Sequence, residues 1–266
     1  MGELIFVGLG LYDEKDLSLR ALEEIKTADK VFVELYTSLM PGLEITRLET
    51  LLGKRVTVMF RKNLEEERGQ QILQEAKKAK VAFLVPGDPM IATTHVDLRI
   101  RANRMGVRTR IVHGASIISA VVGLTGLQNY KFGRSVTVPF AEDGVKTDTP
   151  YNVITENKKR GLHTLCFLDI KAEEKRCMTV KDGLTILLAI EKEKRKKVVS
   201  VDTLVVGVAR AGAPDCQIKA GYVKGMLNHD FGNPPHTLVF PGQLHFVEAE
   251  ALVALADAPK KVLEKI

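Results

Sequence analysis

The chain has 266 residues, 45% of them apolar, with three cysteines and a formal net charge of +6. That apolar share supports a real core and excludes a disordered chain. No run approaches the length of a membrane span and no charged-then-apolar leader is visible, so a soluble intracellular protein is expected.

Strand and helix signals alternate from the start. Residues 4–7 form an apolar strand that runs into Gly8-Leu9-Gly10-Leu11. A helix over 17–26 follows, with Leu19, Leu22 and Ile25 at helical spacing. Further strands are expected at 30–34, 55–60, 81–85 and 109–112, with helices at 64–78, 94–105 and 116–124, the last opened by Ser116 as an N-cap. The stretch Thr125-Gly126-Leu127-Gln128-Asn129-Tyr130-Lys131-Phe132-Gly133 breaks the pattern and reads as a hinge. Beyond it come strands at 136–138, 164–168, 203–208 and 237–240, and helices at 151–159, 181–194, 221–227 and 247–255. Residues 140–150 are polar and turn-rich, as a mobile excursion would be. The fold class is α/β: two lobes, 1–133 and 134–266, each with a mostly parallel sheet, and a ligand cleft between them.

The run Val81-Ala82-Phe83-Leu84-Val85 stops in Pro86-Gly87-Asp88-Pro89, a stiff loop that carries one carboxylate. Open α/β sheets bind ligands at such strand ends. The first loop repeats the theme with Gly8 and Gly10, but a dinucleotide fingerprint would need glycine where Asp13 stands. Aspartate there opposes a pyrophosphate. Glu34 does close the next strand at the distance of a ribose-binding acid, so a nicotinamide enzyme stays open as an alternative.

Other features point to blander roles. Cys166, Cys177 and Cys216 are scattered and read as free thiols, not metal ligands. The run 191–197 mixes both signs and reads as a solvated helix end. A non-catalytic RNA-binding module of the translation machinery would rest only on the net basic charge. His245 and Glu248, one helical turn apart, read as a capping pair and not as half of a metal site.

Taken together, these residues resemble the tetrapyrrole methylases, a superfamily of two-domain S-adenosylmethionine-dependent methyltransferases. The most specific pieces are Gly8-Leu9-Gly10-Leu11-Tyr12-Asp13-Glu14, Leu35-Tyr36-Thr37-Ser38, Pro86-Gly87-Asp88-Pro89 with Ala92-Thr93-Thr94-His95, and Tyr130-Lys131-Phe132-Gly133. Leu168-Asp169-Ile170-Lys171-Ala172, Ala209-Arg210-Ala211-Gly212 and Pro234-Pro235-His236 extend the match to the C-terminal half. Such enzymes usually carry a second Gly-Asp-Pro after the first strand, where this chain has Tyr12-Asp13-Glu14. That departure argues against a tetrapyrrole substrate and for the branch that acts in diphthamide biosynthesis.

The resemblance implies repeated methyl transfer from S-adenosylmethionine to the amino group of a 3-amino-3-carboxypropyl-modified histidine on elongation factor 2. It also implies a homodimer and a cytoplasmic location. Carried over position by position, the cofactor contacts are Leu11, Asp88, Ile91, Ser116, Ile117, Leu168, Ala211 and His236. No metal is expected. Methyl transfer from a sulfonium needs a neutral amine held in line, and orientation supplies much of the rate. Its proton can pass to water, so the sequence demands no side-chain base and shows none.

Overall fold

The computed structural model describes residues 2–141 and 147–265. The expected excursion at 140–150 therefore lies partly outside the described residues. Two compact units divide the chain. One holds residues 1–117 with 172–174, the other 118–171 with 175–266. The division falls earlier than the 133/134 boundary read from the sequence.

In chain order the first unit contains β1 (Glu3–Gly8), α1 (Leu19–Lys26), β2 (Lys30–Glu34), α2 (Ile45–Leu52), β3 (Thr57–Met59), α3 (Arg61–Leu64), α4 (Gln70–Lys78), β4 (Lys80–Val85), α5 (His95–Arg104) and β5 (Arg108–Val112). Its sheet has the order β3-β2-β4-β1-β5, and every pairing is parallel. The alternation of side chains along the strands explains the layers. Ile5 and Val7 of β1 face a core with Ala21, Ile25, Leu48 and Leu52 from α1 and α2. Leu4 and Phe6 face the opposite core, with Ile72, Leu73, Ala76, Leu98 and Ala102 from α4 and α5. Both faces are covered, so β1 and β4 read as unbroken apolar runs. Ser18 starts α1 by accepting the Ala21 N–H at 3.1 Å. The single helix expected at 64–78 is interrupted because Arg68 and Gly69 both adopt positive φ (55° and 61°).

The sheet order also sets where a ligand can bind. From β1 the chain crosses to β2 on one side, and from β4 it crosses to β5 on the other, while β1 and β4 are neighbours. Loops leaving adjacent strands in opposite directions open a crevice at their carboxyl ends.

The second unit contains α6 (Ile117–Thr125), which begins at the division, then β6 (Val136–Val138), α7 (Thr149–Lys159), β7 (Thr164–Leu168), β8 (Ile170–Lys171), β9 (Arg176–Cys177), α8 (Val180–Lys194), β10 (Leu204–Ala209), β11 (Gln217–Tyr222), α9 (Val223–Met226), β12 (His236–Phe240) and α10 (Phe246–Leu255). The main sheet has the order β11-β10-β12-β7-β6. Here the expectation of mostly parallel pairing is corrected. Only β6–β7 is parallel, and β7–β12, β12–β10 and β10–β11 are antiparallel. The link from β10 to β11 is too short for a crossover, so that pair can only run antiparallel. Strand β11 also takes Gly221 and Tyr222 from the expected helix at 221–227. Tyr151, Leu184, Leu187, Val205 and Leu238 anchor the core of this unit.

The expected hinge at 125–133 is built into the second unit. Leu127 is buried. Gln128 N–H donates to Glu248 Oε1 at 2.9 Å, and Gly133 N–H to the His163 carbonyl at 2.9 Å. Lys131 ion-pairs with Glu248. Such a segment cannot act as a free swivel, and the unit boundary accordingly lies before it.

Among the described residues, no helix is long and apolar enough to cross a membrane. The three cysteines are free thiols, Cys166 being buried.

Candidate functional site

In the first unit, the loops after β1, β4 and β5 meet backbone to backbone. Gly10 and Gly87 form an antiparallel bridge, with Gly87 N–H donating to the Gly10 carbonyl at 2.7 Å. A Cβ on Gly8 would come within 2.5 Å of both Gly114 N and Gly87 O, and one on Gly114 within 2.4 Å of Gly87 O. Only glycine permits this approach. A Cβ on Gly87 would meet just the Ala115 carbonyl, at 3.9 Å, so the crevice has room above that residue.

The first loop is closed to anions by its own chain. Asp16 Oδ2 accepts the backbone N–H groups of Leu11 at 2.8 Å and Tyr12 at 2.7 Å. Successive free amides are what would cradle a phosphate, and here a carboxylate already fills them. Glu34 is not a ribose ligand either. It is fully buried. Its Oε2 accepts Tyr36 N–H at 3.0 Å and Thr37 N–H at 3.1 Å. Its Oε1 accepts the Thr37 hydroxyl and lies 3.3 Å from His95 Nε2. The two features that favoured a nicotinamide enzyme thus serve the fold.

Asp88 lies on the loop after β4, next to Gly87, and is 7% exposed. Its Oδ1 accepts Met90 N–H at 2.9 Å, an Asx turn that stiffens the Pro-Gly-Asp-Pro loop. Its Oδ2 lies 2.7 Å from His113 Nδ1. A carboxylate oxygen has two lone pairs, so each retains one for a ligand. Ile91 is half-buried on the same loop, Leu11 is half-buried on the first loop, and Ser116 (buried) and Ile117 (half-buried) open α6. Four of these sequence-predicted residues lie on the loops after β1, β4 and β5, and Ile117 is the first residue of α6.

Leu168, Ala211 and His236 belong to the second unit, and the sheet brings their segments together. His236 pairs with Ala209, the last residue of β10, and the neighbouring Thr237 pairs with Phe167 of β7, next to Leu168. All three are buried. His236 is held at both ring nitrogens. Nδ1 accepts Val180 N–H at 3.3 Å, so Nε2 carries the proton toward the Asn233 carbonyl at 3.1 Å. Burial depresses its basicity and keeps it neutral.

Three participants were not singled out from the sequence. Asp16 fills the first loop, and His113 partners Asp88. Arg210, with φ 51°, ties the loops around Ala211 and His236 together. Its Nε donates to Asp215 Oδ2 at 2.6 Å and its Nη1 to the Phe231 carbonyl at 2.7 Å. His113 did carry one signal: it stands directly between strand β5 and the Gly114-to-Ser116 turn.

His245 and Glu248 form the capping pair expected of them. Glu248 accepts His245 N–H at 2.8 Å, and His245 accepts Val247 N–H at 3.4 Å, at the start of α10.

The model of the tetrapyrrole (corrin/porphyrin) methylases matches residues 3–225. A protein of Methanococcoides burtonii named diphthine synthase is 50% identical over 99% of both chains. The diphthine synthase of Methanocaldococcus jannaschii is 46% identical, covering 96% of this chain and 99% of its own. A solved crystal structure of diphthine synthase superposes with a TM-score of 0.90 at 42% identity, covering 99% of each chain. With its self-filled first loop, its parallel sheet and this match along nearly its whole length, the chain is a methyltransferase and belongs to the tetrapyrrole methylase family.

Proposed function

We propose that the protein methylates the amino group of a 3-amino-3-carboxypropyl-modified histidine on elongation factor 2, using S-adenosylmethionine. The single observation that carries this is the 50% identity, over 99% of both chains, to a protein named diphthine synthase. The crevice supports the choice of cofactor. Asp16 bars a pyrophosphate from the first loop, and S-adenosylmethionine has none. Its cationic and hydroxyl groups suit a site of carbonyls and one carboxylate, which is what the Gly8, Gly87 and Asp88 loops present.

The cofactor, when bound, supplies a methyl group on a sulfonium. Leu11, Asp88, Ile91, Ser116 and Ile117 of the first unit are the proposed contacts, and Leu168, Ala211 and His236 of the second are proposed as cofactor-binding too. Their work is to hold and orient, since an in-line displacement gains most from fixed geometry. Asp88 offers its remaining lone pairs, and the Pro-Gly-Asp-Pro loop keeps them in place. A homodimeric, cytoplasmic enzyme completes the proposal.

Two measurements test it. The unliganded protein is titrated with S-adenosylhomocysteine in a calorimeter, and binding is expected. Asp88→Ala is expected to weaken that binding by about tenfold or more while the protein stays folded, as befits loss of a charge-assisted contact. Normal binding by the variant would move the site elsewhere. Incubation with labelled S-adenosylmethionine and elongation factor 2 bearing the modified histidine should then put label on that side chain by mass spectrometry.

A further inference from the structure

We propose that His113 accepts the proton that the substrate amine must lose before each methyl transfer, and that Asp88 holds its ring for this task. The proposal rests on the methyltransferase activity above and adds a proton acceptor to it.

The geometry is that of an oriented base. His113 Nδ1 lies 2.7 Å from Asp88 Oδ2. The Asp88 side chain is 8% exposed and that of His113 73%. A buried carboxylate facing Nδ1 fixes the tautomer with the proton on Nδ1, which leaves the Nε2 lone pair available. Among the described residues Asp88 is the charged group that pairs with the ring. The carboxylate of Asp16 is turned into the first loop toward Leu11 and Tyr12 and does not face the crevice's ligand space. His113 follows β5 and Asp88 follows β4, on either side of β1, so the pair sits over the crevice that the glycine contacts define. Asp88 thereby has two roles: a contact for the cofactor and a positioning residue for the ring.

The chemistry balances without a further reactant. The substrate ammonium gives its proton to His113 Nε2 and becomes a neutral amine. The nitrogen lone pair forms the new N–C bond while the C–S bond breaks, its electron pair staying on sulfur. The imidazolium then releases its proton to solvent, which its exposure permits. Each successive methylation of the same nitrogen repeats this need.

Full-length His113→Gln decides the matter, with a control in the unliganded wild type. There, 15N NMR of the ring should show the proton on Nδ1, and a proton on Nε2 would overturn the proposal. The variant should bind S-adenosylhomocysteine within about threefold of wild type, yet lose about 100-fold or more in kcat, the usual effect of removing a positioned proton acceptor. Its kcat should lose the rise with pH that imidazole deprotonation produces. His113→Ala should regain activity when free imidazole is added. Transfer by the wild type with His113→Gln unimpaired overturns the role of His113 alone, as does a loss confined to cofactor affinity. A wild type that binds no cofactor and transfers no methyl overturns the activity and this role together.

Discussion

Two carboxylate–imidazole pairs in this protein have nearly equal lengths and opposite uses. Asp88 and His113 are 2.7 Å apart, and Glu248 and His163 2.8 Å. What differs is the second ring nitrogen. His163 is fully buried, and its Nδ1 accepts Gly242 N–H at 2.9 Å. Its Nε2 must therefore carry the proton and donate it to Glu248. Nothing on that ring is left for chemistry. The His113 ring is largely in solvent, with Nε2 outside the pair. Distance alone does not separate a structural pair from a chemical one, but the surroundings of the far nitrogen do.

The largest expected effect comes from breaking the structural pair. Glu248 is fully buried and receives Gln128 N–H, Lys131 Nζ, His163 Nε2 and His245 N–H. It joins the 125–133 segment, His163 just before β7 and the start of α10. Glu248→Ala leaves the Gln128, His163 and His245 donors without this acceptor and Lys131 with only the Gln243 carbonyl, and should lower stability by about 3–5 kcal/mol, as for other broken buried ion pairs. Chemical denaturation checks this, and a loss under about 1 kcal/mol would contradict the network's role. His163→Gln keeps the volume but loses the ring's paired donor and acceptor, so about 2 kcal/mol is expected.

Acid should weaken the same network reversibly. Burial alone would raise the Glu248 pKa, but the His245 N–H, the Lys131 ammonium and the other donors outweigh it and hold the carboxyl at about 2, against 4.5. A depressed carboxyl pKa contributes stability above the unfolded value and loses it as pH falls toward the folded one. For His163, burial outweighs Glu248 and lowers the pKa below 6.5. The unfolded chain then takes up this proton first, so that contribution also falls as pH drops below 6.5. Denaturation midpoints should decline in two steps, below about pH 6.5 and again between about 4.5 and 2. Glu248→Gln should shrink the lower step, and what remains comes from other depressed carboxyls such as Glu24, which hydrogen bonds from Arg110 and Lys80 also hold at about 2.

How far the sequence reveals all this depends on what a local pattern encodes. The ends of β1 and β4 were legible because apolar runs stop abruptly at glycine and proline. Leu11, Asp88 and Ile91 lie on the loops that leave those two ends, whereas Ser116 and Ile117 follow β5, and all eight proposed contacts come from the resemblance. Strand direction in the second unit was not legible, since a buried strand reads alike whichever way its neighbour runs. Strand β11 was hidden because Gln217, Lys219 and Gly221 dilute its apolar residues. Glu34 was misleading because spacing does not say which way a side chain turns. The Asp88–His113 pair joins residues 25 apart, on loops that only the β4-β1-β5 order brings together.

The smallest effect is the sharpest test of the comparison. His113→Gln removes an exposed ring and leaves Asp88 with Met90 N–H and with solvent in reach of the vacated oxygen. Surface substitutions of this kind change stability by no more than about 0.5 kcal/mol. The same substitution at His163 should cost several times that. If both histidines proved equally important to folding, His113 would be a structural residue that happens to be exposed. A near-zero change in the denaturation midpoint, alongside the large loss in kcat expected of this variant, is a combination that a residue serving only the fold cannot produce.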